Sequence, residues 1–128
     1  MKNEVSAWMK KAHDSQDASE FLLTGGYFSI AACQAFYTMF HSAKALLLSK
    51  GLIFTRELSV ITAFGKEFKQ ADLLNGNFHK HLIAAREVRD NNDFQVDIKV
   101  SKQDATQLVQ QSQEFYKAAQ VYLSKQSQ

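Results

Sequence analysis

Proline is absent from this 128-residue sequence, and glycine occurs only five times. An all-β sandwich or barrel needs frequent turn residues, so that class is excluded at the outset. The single cysteine, Cys33, leaves no disulfide within the chain and no Cys-based zinc site in one copy. No apolar run approaches the roughly 20 residues of a membrane-spanning helix. Met1-Lys2-Asn3-Glu4 opens no apolar signal segment, so the cytoplasm is the expected compartment. A large excess of one charge is missing too. Fifteen Lys and Arg face thirteen Asp and Glu, and a net charge of +2 does not by itself signal nucleic-acid binding. The basic surplus lies in residues 41–90, where eight Lys/Arg stand against five Asp/Glu, a common drift for solvated helix faces.

What is present suits one helical domain over residues 1–128. Hydrophobic residues make up 45 % and charged residues 22 %, near the globular average, which excludes disorder. Val5, Trp8, Met9 and Ala12 recur at helical spacing, and Ser15, Ala18, Ser19, Leu22 and Leu23 extend the stripe to Leu23. Gly25-Gly26 ends that helix, because glycine takes the left-handed conformation past a helix C-terminus. Tyr27 to Lys50 is the most apolar stretch, with Ile30, Cys33, Phe36, Tyr37, Phe40, Ala43 and Leu47 on one face. A helix apolar nearly all round is either central or turned toward a second subunit. Gly51 caps it. A shorter helix starts at Ser59 and reaches about Gln70, although Gly65 is a weak helix former. The next runs from Phe78 to Asp90, with Phe78, Leu82, Ala85 and Arg89 on one face, and stops at Asn91-Asn92-Asp93. Phe94, Val96, Ile98 and Val100 alternate like a strand. No partner strand is evident, so an extended loop packed on the bundle is expected. Ser101 caps the last helix, which carries Ala105, Leu108, Val109, Ser112, Phe115, Ala119 and Leu123 inward and frays from Ser124. The economical fold is all-α: an antiparallel bundle of four main helices plus one short helix.

Few residues offer chemistry. His79 and His81 stand two apart and diverge on a helix, so they cannot share a metal. His41, beside Phe40, is expected in the core with a hydrogen-bond partner. Cys33 behaves as a small hydrophobe. No phosphate loop, paired-carboxylate motif or cofactor motif is present. The informative group is Arg86, Arg89, Asp90 and Asp93: Arg86 and Asp90, like Arg89 and Asp93, stand one helical turn apart and can pair. Arg89 also continues an apolar stripe. A guanidinium there must find a carboxylate, a helix end or an anion.

Four stretches give the chain a family resemblance. Ala12 to Gly25 ends in Leu22-Leu23-Thr24-Gly25. Ala31 to Leu48 contains Phe36-Tyr37-Thr38-Met39-Phe40-His41 and Ala43-Lys44-Ala45-Leu46-Leu47. Arg89 to Phe94 reads Arg-x-x-x-Asp-Phe, and Ser101 to Leu123 forms the last helix. In this order they resemble the HEPN domain, a helical family named for higher eukaryotes and prokaryotes and nucleotide binding, in its small stand-alone prokaryotic form. The resemblance implies a homodimer with roles around RNA or nucleotides, often in toxin–antitoxin or defence modules beside a nucleotidyltransferase. It makes Arg89, Asp90, Arg86, Asp93, Tyr37 and His41 the candidate binding residues. Ribonuclease members carry an arginine, a polar residue directly after it, and then a histidine, with four to six residues between arginine and histidine. Arg89 and Asp90 match the first two, but Phe94 fills the histidine slot and no histidine follows His81. Relatives often carry His where this chain has Glu57. Phenylalanine can neither accept the 2′-hydroxyl proton nor protonate the leaving oxygen. The implied role is therefore binding, with no catalytic residue, metal or cofactor. A ribonuclease with an altered site and a structural helical adaptor are the alternatives.

Overall fold

The computed structural model of the chain describes residues 3–126. Five α-helices follow in order: α1 (Asn3–Thr24), α2 (Phe28–Ser49), α3 (Glu57–Phe64), α4 (Asn77–Phe94) and α5 (Lys102–Gln126), with a π-helical segment (Gly65–Gln70) continuing α3. No strand forms among the described residues, and no helix among them is long and apolar enough to cross a membrane. The fold is the expected helical bundle.

Both glycine stops act as their sequence context predicts. Gly26 and Gly51 take φ of +85° and +78°. The Tyr27 N–H then reaches Leu22 O at 2.9 Å, and the Leu52 N–H reaches Leu47 O at 3.0 Å. These bonds satisfy helix-end carbonyls that would otherwise lack partners. Between the two stops lies α2, the central helix. Ala31, Ala32, Ala35, Phe36, Met39, Phe40, Ala43, Ala45, Leu46 and Leu47 are all buried within one chain, so α2 needs no second subunit to cover it. Ile30, expected on the inner face, is exposed instead, because the first turn of α2 turns its neighbours Ala31 and Ala32 inward, with Ala31 O bound by Ser19 of α1. Small residues let α1 lie close against α2: buried Ser19 donates to Ala31 O at 2.8 Å. At the other end of the core, the Phe64 ring lies 5.4 Å from Phe68 and 5.2 Å from Phe115, joining α3, the π segment and α5.

Four boundaries differ from the sequence reading, each for a tertiary reason. The short helix starts at Glu57, not Ser59, because the Glu57 side chain is bound to α4 and fixes the first turn. Asn91-Asn92-Asp93 does not stop α4, which runs to Phe94. Asp93 turns back to Arg89 and Asn92 to Cys33, so these side chains do not compete for the helix backbone. The connection after α4 is neither extended throughout nor packed along its length: it bends at Val96 and Asp97, Val96 is 100 % exposed, and Val100 is the residue that packs on the core. Finally, α5 continues past Ser124 to Gln126, while residues 127–128 of the expected frayed tail lie outside the described residues. Ser101 does cap α5, accepting from the Asp104 N–H at 3.0 Å.

Gly65 has a packing reason. A Cβ there would lie 2.6 Å from His79 Nε2, which donates to Ile61 O at 3.1 Å. Gly65→Ala should therefore lose about 1–3 kcal/mol of stability through overpacking, against the gain that alanine normally brings to a helix. Urea unfolding of the variant checks this; an unchanged or raised midpoint would show that the His79 ring is free to move away.

Candidate functional site

The stripe Leu82, Ala85, Arg89 faces inward from α4, and Arg89 is only 8 % exposed. Its guanidinium lies 4.8 Å from the Phe36 ring centre and 5.5 Å from that of Tyr37, so α2 supplies the floor of the site. All five N–H donors have acceptors. Nε donates to Asp90 Oδ1 at 3.0 Å. Nη1 donates to the Tyr37 hydroxyl and Glu57 Oε2, each at 2.9 Å. Nη2 donates to Glu57 Oε1 at 2.6 Å and Asp90 Oδ1 at 2.7 Å. Asp93 adds a longer ion pair of 3.5 Å to Nε.

Arg86 closes the cluster from the solvent side. Its Nε donates to Glu57 Oε1 at 3.3 Å, and its Nη1 lies 3.7 Å from Asp90. Glu57 thus bridges two arginines, and these bonds hold its carboxyl below the usual carboxylate range despite partial burial. The same bonds to Glu57, with those to Asp90 and Tyr37, raise the Arg89 pKa further, so Arg89 stays charged. Two guanidiniums meet three carboxylates, a formal charge of −1. A bidentate fork on Glu57 is the strong form of such a pair.

The structure brings five of the six sequence candidates together: Arg86, Arg89, Asp90, Asp93 and Tyr37. His41 sits at the edge. Its ring stacks on Tyr37 at 5.9 Å between centres and lies 5.6 Å from Trp8. It is half-buried, and its Nδ1 has no hydrogen-bond partner among the described residues, contrary to the expectation of a satisfied core histidine. Its ring neighbours are the aromatic side chains of Tyr37, Phe40 and Trp8. Lys44 lies over Trp8 at 4.1 Å and Lys11 at 5.2 Å. Burial first, then these two charges, push the His41 imidazole down to about 4.

No histidine contacts Arg89 among the described residues. His79 turns to α3 and His81 to the groove between α4 and α5, diverging as their spacing predicts. Phe94 makes no ring contact among the described residues and points to solvent. Burial and Asp93 raise the Cys33 thiol, which accepts a weak bond from Asn92 at 3.8 Å. Glu57 is the residue that sequence reasoning passed over. It was visible only as a position where relatives carry His, although the stripe position of Arg89 demanded a carboxylate from somewhere.

The HEPN domain family model matches residues 5–122, nearly the whole chain, and the chain belongs to that family. A protein of Methanocaldococcus jannaschii named "Putative toxin MJ0142" is 29 % identical over 122 residues, covering 95 % of this chain and 83 % of its own. "UPF0332 protein glr0978" of Gloeobacter violaceus is 30 % identical over 125 residues, 97 % of this chain and 99 % of its own. A second M. jannaschii protein, "Putative toxin MJ0605", is 26 % identical over 115 residues, 90 % of this chain and 85 % of its own.

Arg89→Ala should cost about 3 kcal/mol in urea unfolding, because it leaves the partly buried Glu57 and Asp90 with only the longer contacts to Arg86. Glu57→Gln, which removes charge but keeps hydrogen-bonding capacity, should cost less. Equal, negligible losses would show that the network is a surface decoration. A separate prediction concerns acid. The unfolded His41 takes up a proton near pH 6.5 and the folded one only near 4, so protonation favours the unfolded chain across that interval. Stability should fall as pH drops from 6.5 to 4, and that part of the fall should vanish in His41→Phe. A melting series with parallel slopes for both proteins would contradict it.

Proposed function

We propose that this is a toxin-type HEPN protein that acts by binding, as a homodimer in a two-component module, and that it does not cleave RNA. The observation that carries this reading is the closed state of Arg89. Its five donors are engaged inside the chain, and no histidine stands beside it to move a proton. Cleavage of RNA without a metal requires such proton transfer. The names of the two M. jannaschii relatives support the toxin-type setting.

The cluster suits a protein partner better than a phosphate. Its carboxylates outnumber its guanidiniums, so an incoming phosphate meets net negative charge. Leu58, Ile61 and Ile83 line a shallow groove with Arg86, Glu87 and Asp90 on the α3–α4 surface. Apolar residues ringed by charges form the usual anatomy of a protein interface. A nucleotidyltransferase is the partner class that the family suggests. Homodimerisation draws support from one end of the bundle, where Tyr27, Ile30, Phe94 and Val96 are all exposed.

Two measurements test the reading. Total cellular RNA incubated with the protein or with Arg89→Ala should remain intact in both. Cleavage by the natural protein and not by the variant would establish an enzyme whose base lies elsewhere. Light scattering should give twice the 14.5 kDa chain mass; a monomer mass at every concentration would refute the dimer.

A further inference from the structure

From Phe94, the last residue of α4, the chain toward α5 reads Phe94-Gln95-Val96-Asp97-Ile98-Lys99-Val100. Strict alternation is the signature of a half-buried strand, yet the bundle offers it no strand to pair with. The Gln95 N–H still bonds to Asn91 O in α4, and the Val100 N–H reaches Ser29 Oγ at 3.4 Å. Between them, residues 96–99 make no hydrogen bond among the described residues. Val96 is fully exposed, and Ile98 is 39 % exposed. Asp97 and Lys99 are exposed and have no ion pair among the described residues. The backbone bends at Val96 and Asp97; once that bend straightens, such a run of unpaired backbone groups beside apolar side chains is a template for strand addition.

We infer that this segment pairs antiparallel with the same segment of a second copy, about a two-fold axis through Ile98. The inference rests on the dimeric reading above and names its interface. The register follows from the residues. With Ile98 opposite its own copy, Asp97 faces Lys99 and Lys99 faces Asp97, while Val96 faces Val100 on the other side of the ribbon. An axis through Asp97 or Lys99 would set like charges opposite each other, and a shift by half a residue would set apolar side chains against polar ones. The Ile98 register satisfies both charge and apolarity, as a two-fold contact between identical surfaces must. The exposed Val96 also gains a seat. It would lie beside the partner's copy of Val100, at the groove between α4 and α5 lined by Ala84, Val88, Ile98, Val100 and Leu108.

The test is a charge exchange read by analytical ultracentrifugation. Asp97→Lys puts two lysines opposite two lysines, and Lys99→Asp puts two aspartates opposite two aspartates. Each variant alone should weaken self-association by about tenfold or more, with melting temperatures unchanged because both positions are exposed. An equimolar mixture of the two variants should restore association, since every facing pair is then of opposite charge. The double variant Asp97→Lys/Lys99→Asp should restore it as well. A natural protein that dimerises while both single variants dimerise equally well would overturn this interface and leave the dimer standing. Weakening without rescue in the mixture would overturn the register. A natural protein that stays monomeric would remove the dimer and the interface together.

Discussion

A permanently charged side chain inside a helical bundle is the constraint on which much of this molecule depends. Arg89 occupies a position that the α4 stripe would otherwise give to an apolar residue. Burying a guanidinium without partners is too costly for a domain of ordinary stability. The fold answers by converging on it. Tyr37 and the Phe36 ring come from α2, Glu57 from the first turn of α3, and Asp90 and Asp93 from α4 itself. Three elements are thereby fixed relative to one another by directional bonds, where apolar packing alone would tolerate some sliding.

That convergence shapes neighbouring structure. α3 begins two residues early because its first side chain is claimed, and α4 runs on through three helix-disfavouring residues because their side chains are employed elsewhere. The same bonds remove Arg89 from solution chemistry. A guanidinium with five satisfied donors and three carboxylates around it gains little from one more anion. In this chain the arginine and its carboxylate neighbours bind one another and hold α2, α3 and α4 together.

The aromatic ladder from Tyr37 through His41 runs along one face of α2 to Trp8 and so links this network to α1. Because burial, reinforced by the charges of Lys11 and Lys44, holds His41 neutral, the ladder carries no second buried charge at neutral pH. The polar burden of the core thus rests on Arg89 and its partners, with the remaining buried polar groups being small hydroxyls, among which Ser19, Ser42 and Ser112 bond to backbone carbonyls.

The sequence by itself determined the helices, the two glycine stops and the inward position of Arg89, because helical periodicity and left-handed caps are local properties. It also showed that Arg89 needed an anionic partner and, through the family resemblance, that Phe94 stands in the slot where ribonuclease members carry a histidine. It could not show that the partner is Glu57, 32 residues away in the chain, since only packing α3 against α4 makes them neighbours. Nor could it show that Asn91-Asn92-Asp93 stays helical, that Ile30 projects past the core, or that His41 lacks a hydrogen bond. Those outcomes depend on which side chains meet across helices. That meeting is decided when the whole core closes, and no window of consecutive residues contains it.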